Sequence, residues 1–80
     1  MITLYLAEDQ SMLNSALTQL LDLEDDLQVV GTAGDGTTAW REIQQIQPQV
    51  AILDIEMPGL SGLDVADRLP AAALTTQTII

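Results

Sequence analysis

At two places along this chain an apolar run stops at carboxylates. Ile2-Thr3-Leu4-Tyr5-Leu6-Ala7 leads into Glu8-Asp9, and Val50-Ala51-Ile52-Leu53 leads into Asp54, with Glu56 two residues further on. Val50 to Leu53 shows no polar alternation, the mark of a strand buried on both faces of a parallel sheet. Met57-Pro58-Gly59 cannot extend it, because proline lacks the ladder N–H and Pro-Gly favours a turn. Asp54 therefore belongs at the carboxyl end of an interior strand, where open α/β sheets bind ligands and do chemistry. An isolated charge is costly to bury there. It requires a metal, another cation or open solvent.

In a strand order of 2-1-3, the first and third strands are neighbours about 4.8 Å apart, and the switch point of the sheet falls between them. Glu8, Asp9 and Asp54 then meet at one edge and repel unless a cation holds them. The chain has no His and no Cys. This excludes imidazole and thiolate ligands, His-based triads and disulfides. An all-oxygen site suits Mg²⁺, Mn²⁺ or Ca²⁺. Mg²⁺ retains several waters and favours one or two carboxylates plus a phosphate. Asp54 could then be a nucleophile, since aspartyl phosphates are an established class of covalent intermediate. The metal would neutralise the incoming phosphoryl oxygens.

The elements that must position these groups follow a regular alternation. Ile2 to Ala7 reads as a strand, with Ile2, Leu4 and Leu6 alternating. Asp9 or Ser11 is a candidate cap for a helix in which Met12, Leu13, Ala16, Leu17, Leu20 and Leu21 form one apolar stripe. After an acidic turn at Asp22 to Asp26, Leu27 to Ala33 reads as a second strand, broken by Gly34-Asp35-Gly36. Thr37 or Thr38 opens a second helix carrying Ala39, Trp40, Ile43 and Ile46 on one face, and Pro48 ends it. After the third strand, a short helix from Gly62 to about Leu69 points Leu63, Ala66 and Leu69 inward and is stopped by Pro70. Residues 71–76 read ambiguously, and Thr78-Ile79-Ile80 begins a fourth strand. A βαβαβα order followed by a strand implies one α/β domain over 1–80, with a parallel, doubly wound, flavodoxin-like sheet.

Composition narrows the function classes. A hydrophobic share of 48 % excludes a disordered tail. Twelve Asp and Glu against only Arg41 and Arg68 give a net charge of −10. Such a surface repels phosphate backbones, so no nucleic acid is expected to bind through this segment. No apolar run reaches the length of a membrane span. Met1 enters the first strand without a basic leader, so a cytoplasmic location is expected.

Glu8-Asp9 after the first strand, Asp54 after the third, and Met57-Pro58-Gly59 with Gly62 resemble the receiver domain of two-component response regulators. The wording Leu6-Ala7-Glu8-Asp9-Gln10, Leu23-Glu24-Asp25-Asp26 and Asp54-Ile55-Glu56-Met57-Pro58-Gly59 is most similar to the NarL/FixJ subfamily. Within it, the likeness is greatest to the regulator of a membrane-fluidity-sensing kinase pair. The resemblance covers the whole chain and implies a CheY-like fold, here extending only to the start of the fourth strand. It implies that Asp54 accepts a phosphoryl group from a sensor histidine kinase. Glu8 and Asp9 would hold Mg²⁺ directly or through water, and Glu56 would offer its backbone carbonyl. It further implies a Ser or Thr after strand four, a Lys after strand five and a DNA-binding helix-turn-helix output domain, all outside these residues. The expected role is a signalling module, not an enzyme that turns over a metabolite.

Blander readings stand beside these. Glu8-Asp9 could be only a helix-capping pair, Asp54 a strand-end cap, and Glu56 simply exposed. Gly31, Gly34 and Gly36 follow GxxGxG, not GxGxxG, and sit after the second strand, so they read as turn formers and not as a dinucleotide loop. Trp40 reads as core, and Asp64 and Asp67 as a solvated helix face. Two functional alternatives remain open. One is an Asp-nucleophile phosphohydrolase using Asp54 and Glu56; the other is an interaction domain that needs no phosphorylation. The third strand is expected to leave an edge and the apolar faces of Val50, Ile52 and Leu53 exposed. That predicts either pairing with a second copy, including by exchange of residues 71–80, or a longer receiver of which these residues are a part.

Overall fold

The computed structural model describes all of residues 1–80. The elements run β1 (Ile2–Ala7), α1 (Ser11–Asp22), β2 (Leu27–Ala33), α2 (Gly36–Ile46), β3 (Val50–Leu53), α3 (Gly62–Ala71) and β4 (Gln77–Ile79). All strand pairs are parallel, in the order β2-β1-β3-β4. The alternating pattern therefore resolves as a doubly wound, CheY-like flavodoxin sheet, present through its fourth strand.

The core follows from strand alternation. Tyr5 and Ala7 of β1 point to one face, and with Ala33, Ala51 and Leu53 they meet Ala39 and Ile43 of α2 and Val65 and Leu69 of α3. Leu4 and Leu6 point to the opposite face and are also buried. That face carries α1, which touches β1 and β2. The Tyr5 hydroxyl crosses the core to donate a hydrogen bond to Glu42 Oε1 at 2.5 Å. Burial, followed by the Glu42 contact, pushes the phenol above its ordinary pKa.

Several boundaries and faces differ from the expected ones. Neither Asp9 nor Ser11 caps α1. The cap position is Gln10, with no side-chain bond. The apolar stripe of α1 is not buried: Met12 is 86 % and Leu20 61 % exposed, because the helix covers only one side of the sheet and nothing lies over its own outer side. α2 starts at Gly36, not at Thr37 or Thr38, because Asp35 caps it by accepting from Thr38 N at 2.7 Å and Thr38 Oγ1 at 2.9 Å. Ile46 and Leu63 are exposed, and Val65 takes the inward place expected of Leu63. Pro70 does not stop α3 but lies within its last turn, where only its own missing N–H is lost.

The fourth strand begins one residue earlier than expected, at Gln77. It pairs with Val50, Ala51 and Ile52 of β3. The segment leading to it is pinned to the α2–β3 turn. Thr76 Oγ1 donates to Pro48 O at 2.6 Å and Gln77 N to Gln49 O at 2.9 Å. β3 is thus an interior strand, Leu53 is buried, Val50 and Ile52 are half-buried, and the sheet's edges lie at β2 and, on this side, at β4.

Candidate metal and phosphoacceptor site

The carboxyl ends of β1 and β3 are level because Ala7 pairs with Leu53. Beyond that pair the backbone stays tied: Asp54 N donates to Ala7 O at 2.9 Å, and Glu8 N donates to Ala33 O at 3.0 Å on the other side. Glu8 and Asp54 are therefore emitted side by side from adjacent strands, with Asp9 next along the chain. Each of the three offers a carboxylate oxygen, and these oxygens lie within 4.8 Å of one another. Glu8 is buried at 9 % exposure, Asp54 is half-buried and Asp9 is exposed. The group lines an open cleft of about 470 Å³ shared with Gln10, Leu13, Ile55 and Glu56. The Glu56 side chain points to solvent.

The electrostatics record the crowding. Gln10 N donates to Glu8 Oε2 at 3.1 Å and pulls the Glu8 pKa down. Burial and the neighbouring Asp9 and Asp54 carboxyls outweigh that bond and hold Glu8 above its ordinary value. Hard oxygen donors, no competing nitrogen or sulfur, and mutual repulsion make a donor set that fits a small divalent cation.

A residue that sequence reading passed over helps to build this corner. Asn14 Nδ2 donates to Glu8 O at 3.2 Å and to Ala33 O at 3.1 Å, so α1 clamps the carboxyl ends of β1 and β2. The available signal was an amide beside Leu13 in the first turn of that helix. Trp40 packs against the core, and Gly34 and Gly36 flank the Asp35 cap at the turn into α2, as the plainer readings had it. Gly31 is not a turn former but lies within β2, paired with Tyr5.

Sheet order and site geometry together are those of a signalling receiver. The model of the response regulator receiver domain matches residues 4–80, and this chain belongs to that family. It is 49 % identical over its full length to the uncharacterized transcriptional regulatory protein YvfU of Bacillus subtilis, covering 40 % of that protein. It is 51 % identical over 69 residues, 86 % of the chain, to the transcriptional regulatory protein DesR of the same organism, covering 35 % of it. Among solved structures it superimposes on a DNA-binding response regulator of the LuxR family from Staphylococcus aureus. There the TM-score is 0.95 and the identity 39 %, over all of this chain and 67 % of that one. The chain thus spans well under half the length of these curated relatives. No helix is long and apolar enough to cross a membrane.

Proposed function

We propose that this chain is the phosphoryl-accepting input domain of a cytoplasmic two-component response regulator. A sensor histidine kinase is the donor and Mg²⁺ the cofactor. The observation that carries this reading is the convergence of Glu8, Asp9 and Asp54 within 4.8 Å at the ends of two adjacent strands. Asp54 is the acceptor because it alone joins a half-buried strand-end position to two neighbouring acids. An Asp54 carboxylate oxygen attacks the phosphorus of the phosphohistidine. The new O–P bond forms as the N–P bond breaks, and the imidazole leaves with the electron pair and takes up a proton. Glu8, Asp9, Asp54 and the backbone carbonyl of Glu56 would hold the Mg²⁺, which supplies charge neutralisation at the phosphoryl oxygens. Gln10 N–H and Asn14 hold Glu8 in place meanwhile.

The rest of the proposal leans on the relatives. Proteins named as transcriptional regulators and as a DNA-binding response regulator support a DNA-binding output domain elsewhere in the protein. The motif wording supports a membrane-fluidity-sensing kinase as the partner. The free β4 edge supports pairing with a second copy.

The test is incubation with acetyl phosphate and Mg²⁺, read by mass spectrometry. A stable adduct of one phosphoryl group, absent in Asp54→Asn, is expected. Labelling that persists in Asp54→Asn defeats the assignment. Catalytic release of phosphate without an adduct marks the hydrolase, and neither outcome marks the phosphorylation-independent interaction domain.

A further inference from the structure

The loop from Asp54 to Ser61 carries both the acceptor and the Glu56 carbonyl. Its base is held twice, by Asp54 N on Ala7 O at 2.9 Å and by Gly62 N on Ile55 O at 3.0 Å. Its tip is held by a different element. Gly36, the first residue of α2, donates its N–H to Pro58 O at 3.0 Å. That N–H is one of those a helix start leaves without an intrahelical partner. The approach leaves no room for a side chain. A Cβ on Gly36 would fall inside the Leu60 carbonyl, and one on Gly59 would run into the Thr37 hydroxyl. Gly59 also sits at a φ of 78°, in the left-handed region that favours glycine. Asp35 fixes the direction of the donor by capping the same turn.

We propose that the first turn of α2 is the seat of the phosphoacceptor loop, and that Gly36 and Gly59 are positioning residues for cation binding beside Asp54. This rests on the receiver reading above. The Pro58 carbonyl lies two residues beyond Glu56, so displacing the tip displaces the Glu56 carbonyl while Glu8, Asp9 and Asp54 stay on their strands. Mg²⁺ demands near-ideal octahedral ligation, whereas Ca²⁺ accepts looser shells. A misplaced carbonyl therefore costs Mg²⁺ more than Ca²⁺. A fold that is merely loosened weakens both alike.

The experiment measures Mg²⁺ and Ca²⁺ affinity by calorimetry on the full-length protein, well below the melting temperature of each variant. Acetyl phosphate labelling runs alongside. Gly36→Ala is expected to weaken Mg²⁺ binding about tenfold or more, the scale on which losing a partner that orients a metal ligand lowers metal affinity. Ca²⁺ should weaken clearly less and Asp54 labelling should slow. Equal losses for both cations, or none, overturn the proposal. If Gly36→Ala does not fold, Gly59→Ala decides: its Mg²⁺ defect should be partly rescued by adding Thr37→Ala, which removes the hydroxyl in its way. No rescue overturns the seat. A wild-type protein that binds neither cation defeats the receiver reading itself, and this inference with it. A wild type that binds Mg²⁺ beside unaltered variants defeats the inference alone.

Discussion

Carboxylates crowded at one corner of a sheet carry opposite energetic signs with and without a cation. Without one, Asp9 and Asp54 add repulsion to the burial that already holds Glu8 above its ordinary pKa. With one, the same charges become ligands. Asp9→Asn should therefore raise the melting temperature slightly in chelator. It should also lose most of the gain from Mg²⁺, which for a site at a hundredfold excess over its Kd is about 2.7 kcal/mol. Thermal melts of both proteins in chelator and in Mg²⁺ check this; equal gains from Mg²⁺ in the two would remove Asp9 from the site. Tyr5 is a second residue with a fixed partner. Its hydroxyl lies in the core against Glu42, and hydrogen bonds to charged groups are worth about 1.5–3 kcal/mol. Tyr5→Phe should cost about that much, read as a lower midpoint in urea with an unchanged slope. The acids of the site were legible because a carboxylate ending an apolar strand is a local pattern. Asn14 was not, because its role depends on two carbonyls that only the folded sheet brings together.

Among the elements, the strands could be read from apolar runs and punctuation, and their order only by supposing a flavodoxin-like arrangement, whereas helix ends and faces could not be read. Asp35 illustrates the reason. Its neighbours Gly34, Gly36, Thr37 and Thr38 all favour a turn or a cap, and the choice is made by which carboxylate reaches Thr38 N. The backbone bond from Thr38, then the Thr38 hydroxyl, hold the Asp35 pKa below its ordinary value. A depressed carboxylate contributes stability above its unfolded pKa, about 3.9 for Asp, and loses it as pH falls through the lower folded value. Asp35→Ala should thus lower the melting temperature at neutral pH, and Asp35→Asn much less, since Asn also caps. The gap between wild type and Asp35→Ala should close only on the acid side of that ordinary value. A gap that is constant down to pH 2 would mean that the charge plays no part. Leu63 and Val65 illustrate the faces. Both are apolar and two positions apart on a short helix, so periodicity over so few turns could not say which faces Leu53 and Tyr5.

At the scale of the whole molecule, burial is lopsided. Only 16 of the 80 residues are buried, and most of the apolar core lies on the α2–α3 side of the sheet. The other side has α1 alone, with Met12, Leu13 and Leu20 exposed, and the sheet ends at β4 with Ile79 and Ile80 exposed. An edge strand presents unpaired N–H and C=O groups to any chain that can match them, and clustered exposed apolar side chains favour association. A net charge of −10 opposes association between copies, and salt screens that repulsion over about 8 Å at physiological strength. These 80 residues, prepared alone, should therefore associate more strongly as salt rises, the reverse of an association held by ion pairs. Light scattering across concentration and salt measures this directly. Ile79→Lys, which puts a charge on the free edge, should restore the monomer more fully than Leu20→Glu on the α1 face if β4 is where the copies meet. A larger effect of Leu20→Glu would move the contact to α1. A monomer at every concentration and salt would show that β4, three residues long and pinned through Thr76 and Gln77, already closes the sheet.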